Sequence, residues 1–90
     1  MAAHTLEKSR LILDVLIPAL NEEAAVGQVV TALKALGHPV RHVVVIDNGS
    51  IDGTASAAQK AGALVVKEQT RGYGAACLRG MAFLSKQEVK

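Results

Sequence analysis

Two apolar runs rich in β-branched residues each end at a polar turn, and a helix-length amphipathic stretch lies between them. The first, residues 11–17, reads Leu-Ile-Leu-Asp-Val-Leu-Ile, and the second, residues 40–47, is centred on Val43-Val44-Val45-Ile46. Runs this continuous suit strands covered on both faces, as in a parallel sheet flanked by helices. Between them, Val26, Val29, Val30, Leu33 and Leu36 recur at the three-and-four spacing of one helical face, and Gly37 and Pro39 supply the stop. At the start of this helix Asn21 stands as the expected N-cap, with Glu22 and Glu23 in the first turn. The pattern then repeats. Asp52 caps a helix running through Ala61, Gly62 stops it, residues 63–67 form a short strand, and after a loop over 69–74 a third helix runs from Ala75 to about Lys86. This order predicts an α/β fold with right-handed crossovers: a three-layer, Rossmann-like arrangement with a mostly parallel sheet, as one domain over residues 1–90.

Composition narrows the function classes. A 90-residue chain buries only about 60–65% of its unfolded surface, and with Tyr73 and Phe83 the sole aromatics its core is built from Val, Ile, Leu and Ala. The net charge of +2 is small and the basic residues are scattered, which argues against nucleic acid as a partner. Cys77 is the only cysteine, so there is no internal disulfide and no cysteine-based metal cage; on its helix, among Ala75, Ala76 and Leu78, it reads as a small buried hydrophobe. Residues 1–10 are polar and mixed in charge, unlike a signal peptide, and no apolar run approaches the roughly 20 residues of a membrane span. The expectation is a cytoplasmic chain without a membrane segment. His4, His38 and His42 read as surface residues and not as metal ligands.

In an open parallel sheet the turns after the carboxyl ends of strands gather into the ligand crevice. Here those turns cover residues 18–22, 47–52 and 69–74, and the polar clusters of interest fall within them. In the first, Pro18 turns the chain away, and Glu22 is placed at a helix start, either as dipole chemistry or as an acceptor for sugar hydroxyls. In the second, Asp47 ends the strand, Asn48 offers both a donor and an acceptor, Gly49 permits close approach, and Asp52 caps the next helix or touches a ligand. The third, Arg71-Gly72-Tyr73-Gly74, sets two glycines and a cation before a helix, a combination that can receive a diphosphate on exposed N–H groups. It is not a dinucleotide fingerprint. Cys77 replaces the last glycine, and the motif follows the third strand instead of the first.

Together, Ile17-Pro18-Ala19-Leu20-Asn21-Glu22-Glu23, Val45-Ile46-Asp47-Asn48-Gly49-Ser50-Ile51-Asp52-Gly53-Thr54-Ala55 and Arg71-Gly72-Tyr73-Gly74-Ala75-Ala76 resemble the opening of family 2 glycosyltransferases of the GT-A fold. The branch most similar in flavour contains the polyprenyl-phosphate (dolichyl-phosphate) sugar transferases. The resemblance runs from about Leu11 to Phe83 and implies a nucleoside-diphosphate sugar as ligand. By it, Pro18, Leu20 and Glu22 match the first nucleotide-contacting turn, and Ile46, Asp47 and Asn48 match the segment that holds base and ribose. Asp52 matches the second acidic position of that turn, and Arg71 a basic position near the phosphates. Two positions depart: Asn48 stands where many members carry a second aspartate, and Leu20 where an aromatic is common.

The family also implies Mg²⁺ or Mn²⁺, held by an Asp-x-Asp on a fourth strand, and no Asp-x-Asp occurs in this chain. The expectation is therefore donor binding with no metal ligands and no catalytic residue within the chain, so that sugar transfer by the chain alone does not occur. The alternative is a non-catalytic regulatory or assembly module with a vestigial nucleotide site. In the family's sheet order the first strand is central, so its far edge is expected to stand open here and to support a homodimer or a partner chain.

Overall fold

The computed structural model describes residues 11–89. Three strands, β1 (Leu13–Ala19), β2 (Val40–Asp47) and β3 (Leu64–Lys67), alternate with three helices, α1 (Glu23–Ala35), α2 (Thr54–Lys60) and α3 (Tyr73–Val89). The strands form one parallel sheet in the order β1-β2-β3. On one face, Val26 and Val30 of α1 and Ala58 of α2 pack with Val43 and Val45. On the other, Ala76, Phe83 and Leu84 of α3 pack with Val44, Ile46 and Val66. Successive residues of β2 thus feed opposite clusters, which is why its sequence is apolar without alternation. Each fully buried valine or isoleucine among these contributes roughly 1.5–3 kcal/mol, and the alanines less. The result is the expected three-layer α/β arrangement.

β1 extends through Pro18, which the sequence places at the strand's boundary; Pro18 lies opposite Ile46 and Ala19 opposite Asp47. The reason is tertiary. Leu13 N–H donates to Pro39 O and Ala19 O accepts from Asn48 N–H, so odd-numbered residues of β1 face β2. Pro18 belongs to the other alternation, whose backbone groups point to the open edge, so its missing N–H breaks no ladder bond. Among the described residues that edge has no strand beside it.

α1 begins later than its sequence suggests. Glu22 takes the N-cap position without a side-chain cap bond, and Asn21 instead adopts a left-handed φ of 53°. Val26 and Val30 are buried, but Val29 and Leu36 leave the apolar stripe and are exposed. The stop is as expected: Gly37 has φ 64° and its N–H donates to Lys34 O at 3.2 Å. Behind the sheet, Gly80 lets α3 sit close, since a Cβ there would lie 2.9 Å from both Ile46 Cδ1 and Leu16 Cδ2. Cys77 on the same helix is half-buried with a free thiol.

At the amino end of the sheet the register slips, so that Leu13 faces Val40 while Asp14 faces His42 and Arg41 is the extra residue. Asp14 ties the slip together. Its carboxylate accepts from Arg41 Nε at 3.0 Å, Arg41 Nη2 at 2.6 Å and His42 N–H at 3.1 Å. His42 is accordingly half-buried and not a surface residue, with Nδ1 3.1 Å from Asp14 Oδ1 but not aligned for a hydrogen bond. His4 lies outside the described residues. The Arg41 guanidinium, helped by the His42 N–H, holds the Asp14 carboxyl down to about 2. An acid with a depressed pKa stabilises the fold above its unfolded value of 3.8, and that contribution is lost as pH falls through about 2. Asp14→Asn is therefore expected to lower stability at pH 7 by about 1 kcal/mol, because Arg41 is partly solvated. In urea unfolding series, the difference from the parent should shrink steadily from pH 5 toward pH 2.

Candidate functional site

The carboxyl ends of β1, β2 and β3 bring the three polar turns together, and Asn48 joins them. Its backbone N–H donates to Ala19 O in the first turn at 2.9 Å. Its side-chain Nδ2 donates to Glu68 O at 2.9 Å and Thr70 O at 2.8 Å, and Oδ1 accepts from Gly72 N–H at 3.0 Å. With two carbonyls and one N–H as partners, the orientation of the amide is unambiguous. Asn48 is 7% exposed, and both its side-chain donors are committed to the protein. The Gly72 N–H, expected from the sequence to face a diphosphate, is likewise engaged. Gly72 has φ 122°, which permits this approach, and Gly74 lies inside the first turn of α3 instead of in the loop.

A second set of bonds clamps the first turn to the second. Asn21 N–H donates to Ser50 Oγ, and Asn21 Oδ1 accepts from Ile51 N–H, both at 2.9 Å. Thr54, fully buried, accepts from Glu22 N–H at 2.8 Å through Oγ1 and donates that hydroxyl to Asp52 Oδ1. Asp52 also accepts from Thr54 N–H at 3.0 Å and from Glu23 N–H at 3.3 Å, while Glu23 Oε1 accepts from Gly53 N–H at 3.1 Å. The carboxylate beside each helix start thus serves the other helix, a reciprocal cap between α1 and α2. The Thr54 hydroxyl and the backbone donors hold the Asp52 carboxyl below the usual carboxylate range.

Above this scaffold lies a depression of about 390 Å³ walled by Pro18, Ala19, Leu20, Glu22, Asn48, Arg71, Gly72 and Tyr73. Five of the sequence-selected residues, Pro18, Leu20, Glu22, Asn48 and Arg71, therefore meet around one space. Arg71 lies along Gly49, whose φ is 90° and where a Cβ would come 3.5 Å from Arg71 Nε. Asp47 is 5% exposed at the end of β2, and one of its oxygens accepts from Ser50 N–H at 3.0 Å. Ile46 points into the core under α3, Asp47 is tied to Ser50, and Asp52 belongs to the α1–α2 clamp, so none of these three side chains lines the depression. Gly72 lines it as the third turn suggests, and Tyr73 lines it without the sequence singling it out, because α3 starts two residues earlier than its apolar spacing indicates. A wider groove of about 700 Å³ runs between α1 and α2, floored by Ala24, Gly27, Ala32, Ala57 and Ala61 and flanked by Glu23, Gln28, Thr31 and Lys60; it lies away from the carboxyl-end turns that gather the other polar residues.

Among the described residues, no three His, Cys, Asp or Glu side chains come together to hold a metal ion, so these residues do not by themselves fit a divalent cation. No helix of the described residues is long and apolar enough to cross a membrane.

Known proteins share this arrangement. The chain is 44% identical over 63 residues to glucosyl-3-phosphoglycerate synthase of Mycolicibacterium smegmatis, which covers 69% of this chain and 21% of that protein. It is 37% identical over 78 residues to an uncharacterized protein of Methanocaldococcus jannaschii, covering 83% of this chain and 31% of that one. Among solved structures, glucosyl-3-phosphoglycerate synthase of Mycobacterium tuberculosis, in complex with Mn²⁺, UDP and glucosyl-3-phosphoglycerate, superposes with a TM-score of 0.76 at 32% identity. That match covers 87% of this chain and 31% of the other. The chain thus spans about a fifth to a third of the length of these relatives. The model of glycosyl transferase family 2 matches residues 14–87, taking in all three turns and the sheet that carries them, and the chain belongs to that family.

Proposed function

We propose that this chain forms the donor-nucleotide site of a glycosyl transferase and binds a UDP-sugar in the depression between its first and third turns. The observation that carries this reading is the convergence of Glu22, Asn48 and Arg71 at the carboxyl ends of three parallel strands. A solved relative with this fold is in complex with Mn²⁺, UDP-glucose and phosphoglyceric acid. In this reading Arg71 faces the diphosphate, Glu22 accepts from ribose or sugar hydroxyls, and Pro18 and Leu20 give an apolar wall. Asp47 braces the second turn through Ser50 N–H and so supports the site from beneath. Asn48 positions all three turns, Ile46 supports the floor, and Asp52 sets the helix start that presents Glu22.

The donor is the part of the chemistry that the sequence resemblance and the named relatives have in common. The polyprenyl-phosphate branch is a statement about the acceptor, and the named relatives supply a phosphoglycerate acceptor instead. Sugar transfer is proposed to need metal ligands other than the described residues, since a cation on the leaving diphosphate supplies several kcal/mol of transition-state stabilisation. Calorimetric titration tests the reading. UDP is expected to bind with a dissociation constant in the micromolar to millimolar range, with NAD⁺ giving no heat. Folded protein that takes up no UDP would favour the alternative of an assembly module with a vestigial pocket.

A further inference from the structure

We infer that Tyr73 is the base-stacking platform of this site, supplying from the third turn the aromatic surface that the first turn lacks. The inference rests on the proposed nucleotide reading. Tyr73 is the first residue of α3, is 76% exposed, and lines the same depression as Pro18, Leu20 and Arg71. It is the only aromatic on the depression's wall: the chain's other aromatic, Phe83, packs in the core against the sheet. Leu20, 39% exposed, and Pro18 form the apolar part of the first turn's wall. A planar base lodged between these residues and the phenol ring would be removed from water on both faces, while Arg71 and Glu22 stay with the charged and hydroxyl-bearing parts of the ligand.

The phenol ring has no other evident work. Among the described residues Tyr73 makes no side-chain hydrogen bond, and it is absent from both buried clusters. A large, exposed aromatic held at the mouth of a polar depression matches the way proteins recognise a nucleobase without reading its edge, since every base has a π-face. Stacking of this kind holds the base and leaves the choice among bases to polar groups.

The composition makes the test direct. Tyr73 is the sole tyrosine and the chain has no tryptophan, so tyrosine fluorescence reports this one position. UDP is expected to quench it, and inorganic pyrophosphate, which has no base, is not. By calorimetry, Tyr73→Phe should bind UDP within about twofold of the parent, whereas Tyr73→Leu should bind it roughly tenfold more weakly with pyrophosphate affinity unchanged. Because the residue is exposed, both variants should melt within a few degrees of the parent. UDP binding by Tyr73→Leu at the parent's affinity would overturn the stacking role while leaving the nucleotide site standing. A parent protein that binds neither UDP nor pyrophosphate would overturn both.

Discussion

Asn48→Asp is expected to lower folding stability at pH 7 by about 3 kcal/mol, a large share of the roughly 5–13 kcal/mol available to a domain of this size. The substitution is nearly isosteric, so the loss comes from hydrogen-bond polarity and charge. In the parent, Nδ2 donates to Glu68 O and Thr70 O. A carboxylate in its place would set one of its oxygens against both carbonyl oxygens in a site 7% exposed to water, next in sequence to the Asp47 carboxylate. The family's frequent aspartate at this position is thus incompatible with the third turn as this chain builds it. Burial beside carbonyls raises the introduced carboxyl's pKa, so the proton is held more tightly in the folded state. The deficit is then smallest below the unfolded value of about 4 and grows as pH rises above it. Urea unfolding at pH 4 and pH 7.5 checks the sign. Asn48→Ala, which removes the donors without adding charge, should show a deficit that does not depend on pH in this way.

The second large effect falls on a residue that faces no ligand. Thr54→Val preserves shape in a fully buried position but deletes the acceptor for Glu22 N–H. Leaving that donor without its partner is expected to cost about 2 kcal/mol, or roughly 10 °C in melting temperature for a chain of this length. The clamp between the first and second turns should loosen with it. Asp52 loses the hydroxyl that holds its carboxyl low, so its titration, followed by side-chain carboxyl NMR, should move up toward the ordinary carboxylate range. UDP affinity should fall as well, because Glu22 is presented by the segment that Thr54 anchors. A variant with parental stability and parental Asp52 titration would show that the clamp is not held through this hydroxyl.

These two residues mark where sequence reading stops. The apolar runs of β1 and β2 and the spacing of Val26, Val30 and Leu33 follow local periodicities, so the parallel α/β order is visible without coordinates. The gathering of turns at the carboxyl ends of the strands follows from that order, and so do Pro18, Leu20, Glu22, Asn48 and Arg71 as neighbours. The inclusion of Pro18 in β1 depends on which side of the strand is paired, a tertiary fact. The roles of Asn48 and Asp52 were hidden for a related reason. Their side chains look free to meet a ligand until the partners 20–29 residues away are known. Ile46 enters the candidate site only through the family resemblance, and the period of two along β2 sends its side chain into the core. Tyr73 was passed over because Gly72 and Gly74 made the whole segment look like a loop.

In the proposed site one nucleoside diphosphate touches the first and third turns at the ends of the parallel strands. Backbone amide NMR spectra recorded during a UDP titration test it most directly. Shifts are expected to concentrate at residues 19–22, 47–50 and 70–75, with the α1–α2 groove around Gly27 and Ala57 unmoved. Saturable shifts centred on that groove, or an unchanged spectrum at millimolar UDP, would contradict it.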